Sequence, residues 1–121
     1  MNEAHVTSLE LSKRLKALGV KQESEFYWIA GCIMAWPDTT IGECSAFLAS
    51  ELGELLPLYL KRDANKGISF SVETDGLQIY KSYDNKVWIV SYSYNSESDR
   101  SLANCLAKML IYLIENKLIT M

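Results

Sequence analysis

The last helix-forming run of the chain, residues 101–119, constrains the fold more than any other segment. It reads SLANCLAKMLIYLIENKLI. At about 100° per residue, only Asn104, Lys108 and Glu115 fall on one polar line. A surface helix of a small domain normally buries about a third to a half of its circumference. This run is apolar over most of the rest, so we expect it either to lie deep in the domain or to meet a second chain.

Length and composition indicate one domain over residues 1–121, because 121 residues with 49% apolar side chains can build a core. The net charge is −3 and no basic stripe is present, so nucleic-acid backbones have no electrostatic partner here. The N-terminal residues lack the apolar segment of a signal peptide. The apolar run at 106–114 is shorter than the ~20 residues that span a bilayer. We therefore expect a cytoplasmic protein without a membrane contact.

The cysteines do not have the spacing of a metal site. Cys32, Cys44 and Cys105 include no CxxC pair, and His5 is the only histidine. We expect three reduced, buried thiols that behave as small apolar residues, with no metal and no cofactor.

No catalytic grouping stands out either. Glu51 and Glu54 are spaced like a pair of carboxylates on one helix, but such residues are common on solvated helix faces. Ser45 lacks the GxSxG context of a nucleophile, and GxGxxG and Walker motifs are absent. The sequence therefore predicts no catalytic residues and a protein that is not an enzyme.

The first half of the chain predicts two helices around an apolar run. Thr7 and Glu10 have capping-box spacing, leucines recur at 11, 15 and 18, and Gly19 suits the end of the first helix. The second helix is predicted from Ser45, as N-cap, to Leu56. Between them, residues 26–36 read FYWIAGCIMAW. We interpret them as a strand that could break near 30–31, with one strand, two strands and a buried helix all open.

The second half predicts an antiparallel β-meander of strands 68–74, 77–83 and 86–94. Turn signals lie at 75–76 and 84–85. With two-residue turns, one face is apolar except for Lys81, and a slip by one residue would destroy that separation. The predicted core face is Phe70, Val72, Leu77, Ile79, Trp88, Val90 and Tyr92. The amphipathic helices would cover it, which gives an α+β fold with the order α-β-α-β-β-β-α.

Four segments resemble short uncharacterised proteins from phages, prophages and related mobile elements of bacteria. They are SEFYW (24–28), AFLASELGELLP (46–57), VWIVSY (87–92) and LANCLAKMLIYLIENKLI (102–119). The arrangement is also similar to small alpha-beta-alpha sandwich domains of phage proteins. The resemblance implies a genomic setting and a fold, but no activity, substrate or catalytic residue.

Helix, three-stranded meander, helix is also the order of a double-stranded-RNA-binding domain. Such domains grip phosphates with a basic cluster at the start of the last helix. The corresponding segment here, 95–100, contains two acids and one base. A nucleic-acid-associated accessory protein therefore stays as the alternative function.

The principal hypothesis is a non-enzymatic binding or assembly protein that acts through protein–protein contact. Tyr80, Val87 and Ile89 form an aromatic–aliphatic group on a sheet face otherwise rich in serine, although another segment of the chain could cover it. Helix three adds a second apolar flank, with Ile111, Ile114 and Leu118, that the short first helix should cover only in part. We expect the protein to form a homodimer through one of these surfaces.

Overall fold

A computed structural model of the chain describes residues 5–35, 44–57, 76–84, 86–92 and 95–119. Within these ranges it has an α+β fold, which confirms the predicted class, with more strands than expected. The elements in chain order are α1 (Leu9–Ala17), β1 (Phe26–Ile29), β2 (Cys32–Met34), β3 (Cys44–Ala46), α2 (Ala49–Leu55), β4 (Leu77–Lys81), β5 (Trp88–Tyr92), β6 (Asn95–Asp99) and α3 (Leu102–Glu115). They form two antiparallel sheets, ordered β2-β1-β3 and β4-β5-β6.

The apolar run 26–36 contains two strands joined by a tight turn. Ala30 and Gly31 have φ angles of +50° and +78°, and the pairing of Ile29 with Cys32 leaves only these two residues in the loop. Positive φ at both central positions is typical of a type I′ hairpin turn, which Gly adopts without steric cost. Of the interpretations left open, two strands is the one found.

Helix α1 begins one residue later than the capping-box spacing suggested. Ser8, not Thr7, is the N-cap, and its hydroxyl accepts a hydrogen bond from the Leu11 N–H at 3.3 Å. Thr7 is fully buried, and its hydroxyl oxygen accepts a hydrogen bond from the Phe47 N–H at 3.1 Å. Thr7 therefore joins α1 to the residue that follows β3. Gly19, at φ +90°, follows the C-cap residue as expected.

The second helix was predicted too long at its N-terminus. Ser45 lies inside β3 and is buried, and α2 begins at Ala49 with Leu48 as its N-cap residue. Leu48 has no side-chain oxygen with which to cap the helix, but Glu51, at the third helical position, makes the other half of a capping box and accepts the Leu48 N–H at 2.8 Å. The expectation that Glu51 is solvated was therefore wrong, whereas Glu54 is exposed.

The second sheet has the predicted register but not the predicted boundaries. Leu77 pairs with Tyr92, Ile79 with Val90 and Lys81 with Trp88, as expected. The strands are shorter than 77–83 and 86–94, and the predicted strand 68–74 lies outside the described residues. Strand β6 was not predicted, because its segment NSESD has neither the apolar alternation nor the β-branched residues of a typical strand.

Helix α3 lies at the centre of the main core, as its narrow polar stripe suggested. It packs against α1, α2, β5 and β6. Its fully or almost fully buried residues are Ala103, Cys105, Leu106, Ala107, Met109, Leu110, Ile111 and Leu113. A smaller apolar cluster, centred on Val6, Trp28, Cys44 and Ala46, fixes the first sheet against the chain before α1.

Candidate contact surface

Strand β4 presents apolar side chains that the described fold does not cover. We call the group of Tyr80, Val87 and Ile89, which lie on one face of the sheet, the β4 surface. Tyr80 pairs with Ile89 on the sheet face turned away from α3 and is 48% exposed. Val87 and Ile89 are half-buried. Three of the predicted contact residues therefore lie together on one face, and its most open part is at Tyr80.

Ile79 was expected in the core and is 42% exposed. It has the predicted partner, since it pairs with Val90, which is fully buried. The helix that covers this face packs on β5 and β6, so it covers Val90 but leaves Ile79 at the uncovered side of the sheet. The alternating pattern predicted the face correctly but not how far the helix extends across it.

The exposed part of the inner face also carries a charge. The Lys81 ammonium lies 4.9 Å from the centre of the Trp88 ring, within range of a cation–π interaction. Lys81 was the one polar residue on the predicted core face. Since β4 is exposed from Gln78 to Lys81, this lysine keeps its charge near solvent while it contacts the ring.

The flank of α3 that was expected to form a second contact surface is covered at Ile111. Ile111 is 2% exposed and belongs to the main core, because α1 packs against this side of α3. An ion pair of 2.9 Å between Arg14 and Glu115 joins the two helices at the rim. Ile114 is half-buried against the core, and Leu118 is 46% exposed beyond the end of the helix. Helix α1 therefore covers more of α3 than its length indicated.

The thiols are distributed between surface and core. Cys32 is exposed, which corrects the expectation that all three are buried, and Cys44 and Cys105 are buried. Burial raises the pKa of the Cys105 thiol to about 11, so it stays protonated near neutral pH. Among the described residues, no group of three or more His, Cys, Asp or Glu side chains could hold a metal ion.

Two hollows between described residues bring together little that resembles a catalytic site. One hollow of about 480 Å³, near the start of α3, is lined in part by His5, Trp88 and Arg100. The carboxylate of Asp99 accepts the Ser101 N–H at 2.9 Å, so a negatively charged side chain of the protein itself already interacts with the N-terminal end of α3. Another hollow, of about 550 Å³, lies between α1 and α3 beside β6, and charged side chains line much of it.

The predicted contact residues Tyr80, Val87 and Ile89 lie on one face, whereas the exposure of Ile79 and the presence of β6 were not predicted. The signal for β6 was available only indirectly, because the predicted strand 86–94 had to end somewhere before the helix at 101.

No helix in the described parts of the chain is both long enough and apolar enough to cross a membrane. Comparison with protein-family models, with curated proteins and with solved structures found no match to this chain.

Proposed function

We propose that this protein is a non-enzymatic binding or assembly protein that acts through protein–protein contact, and that the β4 surface is its contact. One observation carries the proposal. Ile79 and Tyr80 are neighbours on a strand, so their side chains point to opposite faces, yet they are 42% and 48% exposed. Fully burying a large apolar side chain stabilises a folded or assembled state by about 1.5–3 kcal/mol. Ile79 and Tyr80 each obtain only part of that stabilisation, because both remain partly exposed.

The occupant that we propose is a second copy of the chain. Within β4, β5 and β6, the residues that share the face of Tyr80 are uncharged: Gln78, Ile89, Ser91, Ser96 and Ser98. Each copy has a net charge of −3, so most approaches between two copies meet like charges. An uncharged face with an apolar centre avoids that repulsion, and two-fold dimers are the commonest soluble oligomers.

The proposed setting is the cytoplasm of a bacterium that carries a phage or mobile element. The resemblance of segments 24–28, 46–57, 87–92 and 102–119 to proteins of such elements supports the genomic setting. The exposed thiol of Cys32 supports a reducing compartment, where unpaired surface cysteines persist. Inspection of the neighbouring genes tests this part.

Light scattering at micromolar concentration tests the proposed self-association. We expect a mass near twice 13.7 kDa, because a dimer would bury the β4 surface of both copies. A mass of 13.7 kDa that does not change with concentration would overturn it. Salt-dependent retention on heparin would instead favour the nucleic-acid alternative, since the described order α2, β4–β6, α3 repeats the helix–meander–helix order of an RNA-binding domain.

A further inference from the structure

Among the strands that the structure describes, β6 is at the edge of the second sheet, and the backbone groups of Ser96 and Ser98 point away from that sheet. The Ser82 N–H donates to the Val87 carbonyl at 2.9 Å. The backbone groups of residue 87, and those of residues 89 and 91 in β5, therefore point toward β4. Along an antiparallel strand, the backbone groups of successive residues point alternately to the two neighbouring strands. Those of residues 88, 90 and 92 therefore form hydrogen bonds with β6. Since Val90 pairs with Glu97, the backbone N–H and C=O groups of residues 95, 97 and 99 point toward β5. Those of residues 96 and 98 therefore point outward, away from the sheet.

Ser96 and Ser98, on the outer edge of β6, are exposed, and few of their outward backbone groups have a partner among the described residues. The hollow of about 550 Å³ beside β6 and a second one of about 210 Å³ both have Glu97 and Tyr112 in their walls, so they adjoin at these residues, and we call the two together the groove. The Lys108 ammonium donates to the Ser98 carbonyl at 3.3 Å. In the described part of the chain, the Ser96 N–H and carbonyl and the Ser98 N–H have no hydrogen-bond partner.

The described side chains at the groove and its rim include three carboxylates, Glu97, Asp99 and Glu115, but only two cations, Arg14 and Lys108. Asp99 pairs with Lys108 at 2.9 Å, and Glu115 pairs with Arg14 at the same distance. Glu97 is half-buried, and among the described residues it has no ion pair within 4 Å and no side-chain hydrogen bond, because the Lys108 ammonium pairs with Asp99 and interacts with Glu97 only at longer range. A partly desolvated carboxylate is stabilised by an arriving cation that can also donate a hydrogen bond to it.

We propose that the β6 edge accepts an extended segment of another protein, which adds as a further strand and places a lysine or arginine side chain beside Glu97. The backbone of the added strand would pair with the outward groups of Ser96 and Ser98. The basic side chain would lie in the groove on the side of α3. A second copy is the less favourable occupant, because pairing Ser96 with Ser98 of the copy sets Glu97 directly opposite its own equivalent.

The β6 proposal shares with the proposed function only the need for a protein partner, and its test uses residues outside the β4 surface.

The probes are two short synthetic peptides of alternating threonine and valine, one with lysine and one with glutamate at the centre. They are titrated into the ¹⁵N-labelled protein. We expect the lysine peptide to shift the amide resonances of Ser96 and Ser98 and to slow their hydrogen exchange. Its affinity should exceed that of the glutamate peptide by about fivefold, the effect of one partly exposed ion pair.

Variants of Glu97 separate charge recognition from a general loss of structure. Glu97→Gln should remove the preference between the peptides, and Glu97→Lys should reverse it, which a misfolded protein could not do. Glu54→Gln, an exposed carboxylate on α2, should leave the preference unchanged. Equal binding of both peptides, shifts confined to residues away from β6, or no shift at millimolar peptide would overturn the proposal. Protection of Ser96 and Ser98 that rises with protein concentration alone would also overturn it, because the occupant would then be a second copy.

Discussion

Ile79 and Tyr80 are consecutive residues of β4, they point to opposite faces of the sheet, and both are more than two-fifths exposed, at 42% and 48%. A strand inside a folded domain normally has at least one face covered. Within the described residues, β4 has neither face covered at these positions. This relationship is the basis for a contact surface on β4.

The two isoleucines at 79 and 111 should differ sharply in their contribution to stability. Ile111→Ala is expected to lower the free energy of unfolding by about 2–5 kcal/mol, because Ile111 is 2% exposed and its removal leaves a cavity. Ile79→Ala should change it by about 0.5 kcal/mol or less in dilute samples, because its site is open. Urea denaturation measures both. Equal losses would contradict the placement of Ile79 at the uncovered side of the sheet.

Glu51 should stabilise the start of α2, and Glu54 should not. The carboxylate of Glu51 accepts the backbone N–H groups of Leu48 at 2.8 Å and of Glu25 at 3.0 Å. Glu51→Ala is therefore expected to cost about 1 kcal/mol, the typical effect of losing an N-terminal cap. Glu54→Ala is the matched control and should cost nothing measurable. If the two variants have the same thermal midpoint, Glu51 does not cap the helix.

The thiols should react in an order set by their exposure. Cys32 is exposed, whereas Cys105 is buried and its pKa is raised to about 11. Iodoacetamide at mild alkaline pH should modify one thiol per chain quickly, and peptide mapping should assign it to Cys32. Cys32→Ser should abolish the fast phase. Fast modification of Cys105 in the native protein would show that α3 opens readily.

Stability should fall as the pH rises through the alkaline range, and Cys105 should account for part of the fall. Burial raises the pKa of this thiol from 9.0 to about 11. The unfolded thiol therefore ionises first, and the stabilisation is fully present below pH 9 and is lost as the pH approaches 11.

Thermal unfolding across this pH range checks the effect of Cys105. Cys105→Ala should make the decline between pH 9 and 11 shallower, whatever it does to the midpoint at neutral pH. Cys32→Ala should leave the slope unchanged, because that thiol is exposed. An unchanged slope in Cys105→Ala would mean that other groups, such as Tyr92, whose pKa burial also raises, dominate the decline.

The parts of the fold that local chemistry determines could be predicted from the sequence. The register of β4 with β5 followed from turn residues and alternation, because a slip by one residue would turn Val90 and Tyr92 outward. The possible break at Ala30–Gly31 followed from the conformational freedom of glycine.

The parts that depend on tertiary cover could not be predicted. Alternation placed Ile79 on the inner face, but only the position of α3 decides which strands of that face are buried. In the same way, the length of α1 did not show that it would cover Ile111. Strand β6 forms with polar residues because β5 supplies its hydrogen bonds and because Lys108 and Tyr112 contact its inward Asp99 and Asn95.

Sedimentation equilibrium of the wild-type protein beside Tyr80→Ser and Tyr83→Ser tests the β4 surface most directly. Both tyrosines are exposed, but Tyr83 lies past the end of β4 at 108% exposure, so its loss controls for the removal of an exposed aromatic ring. We expect the wild type and Tyr83→Ser to approach twice 13.7 kDa with rising concentration, and Tyr80→Ser to stay near 13.7 kDa. A wild-type mass of 13.7 kDa at every concentration, or a dimer that Tyr80→Ser does not weaken, would contradict the account.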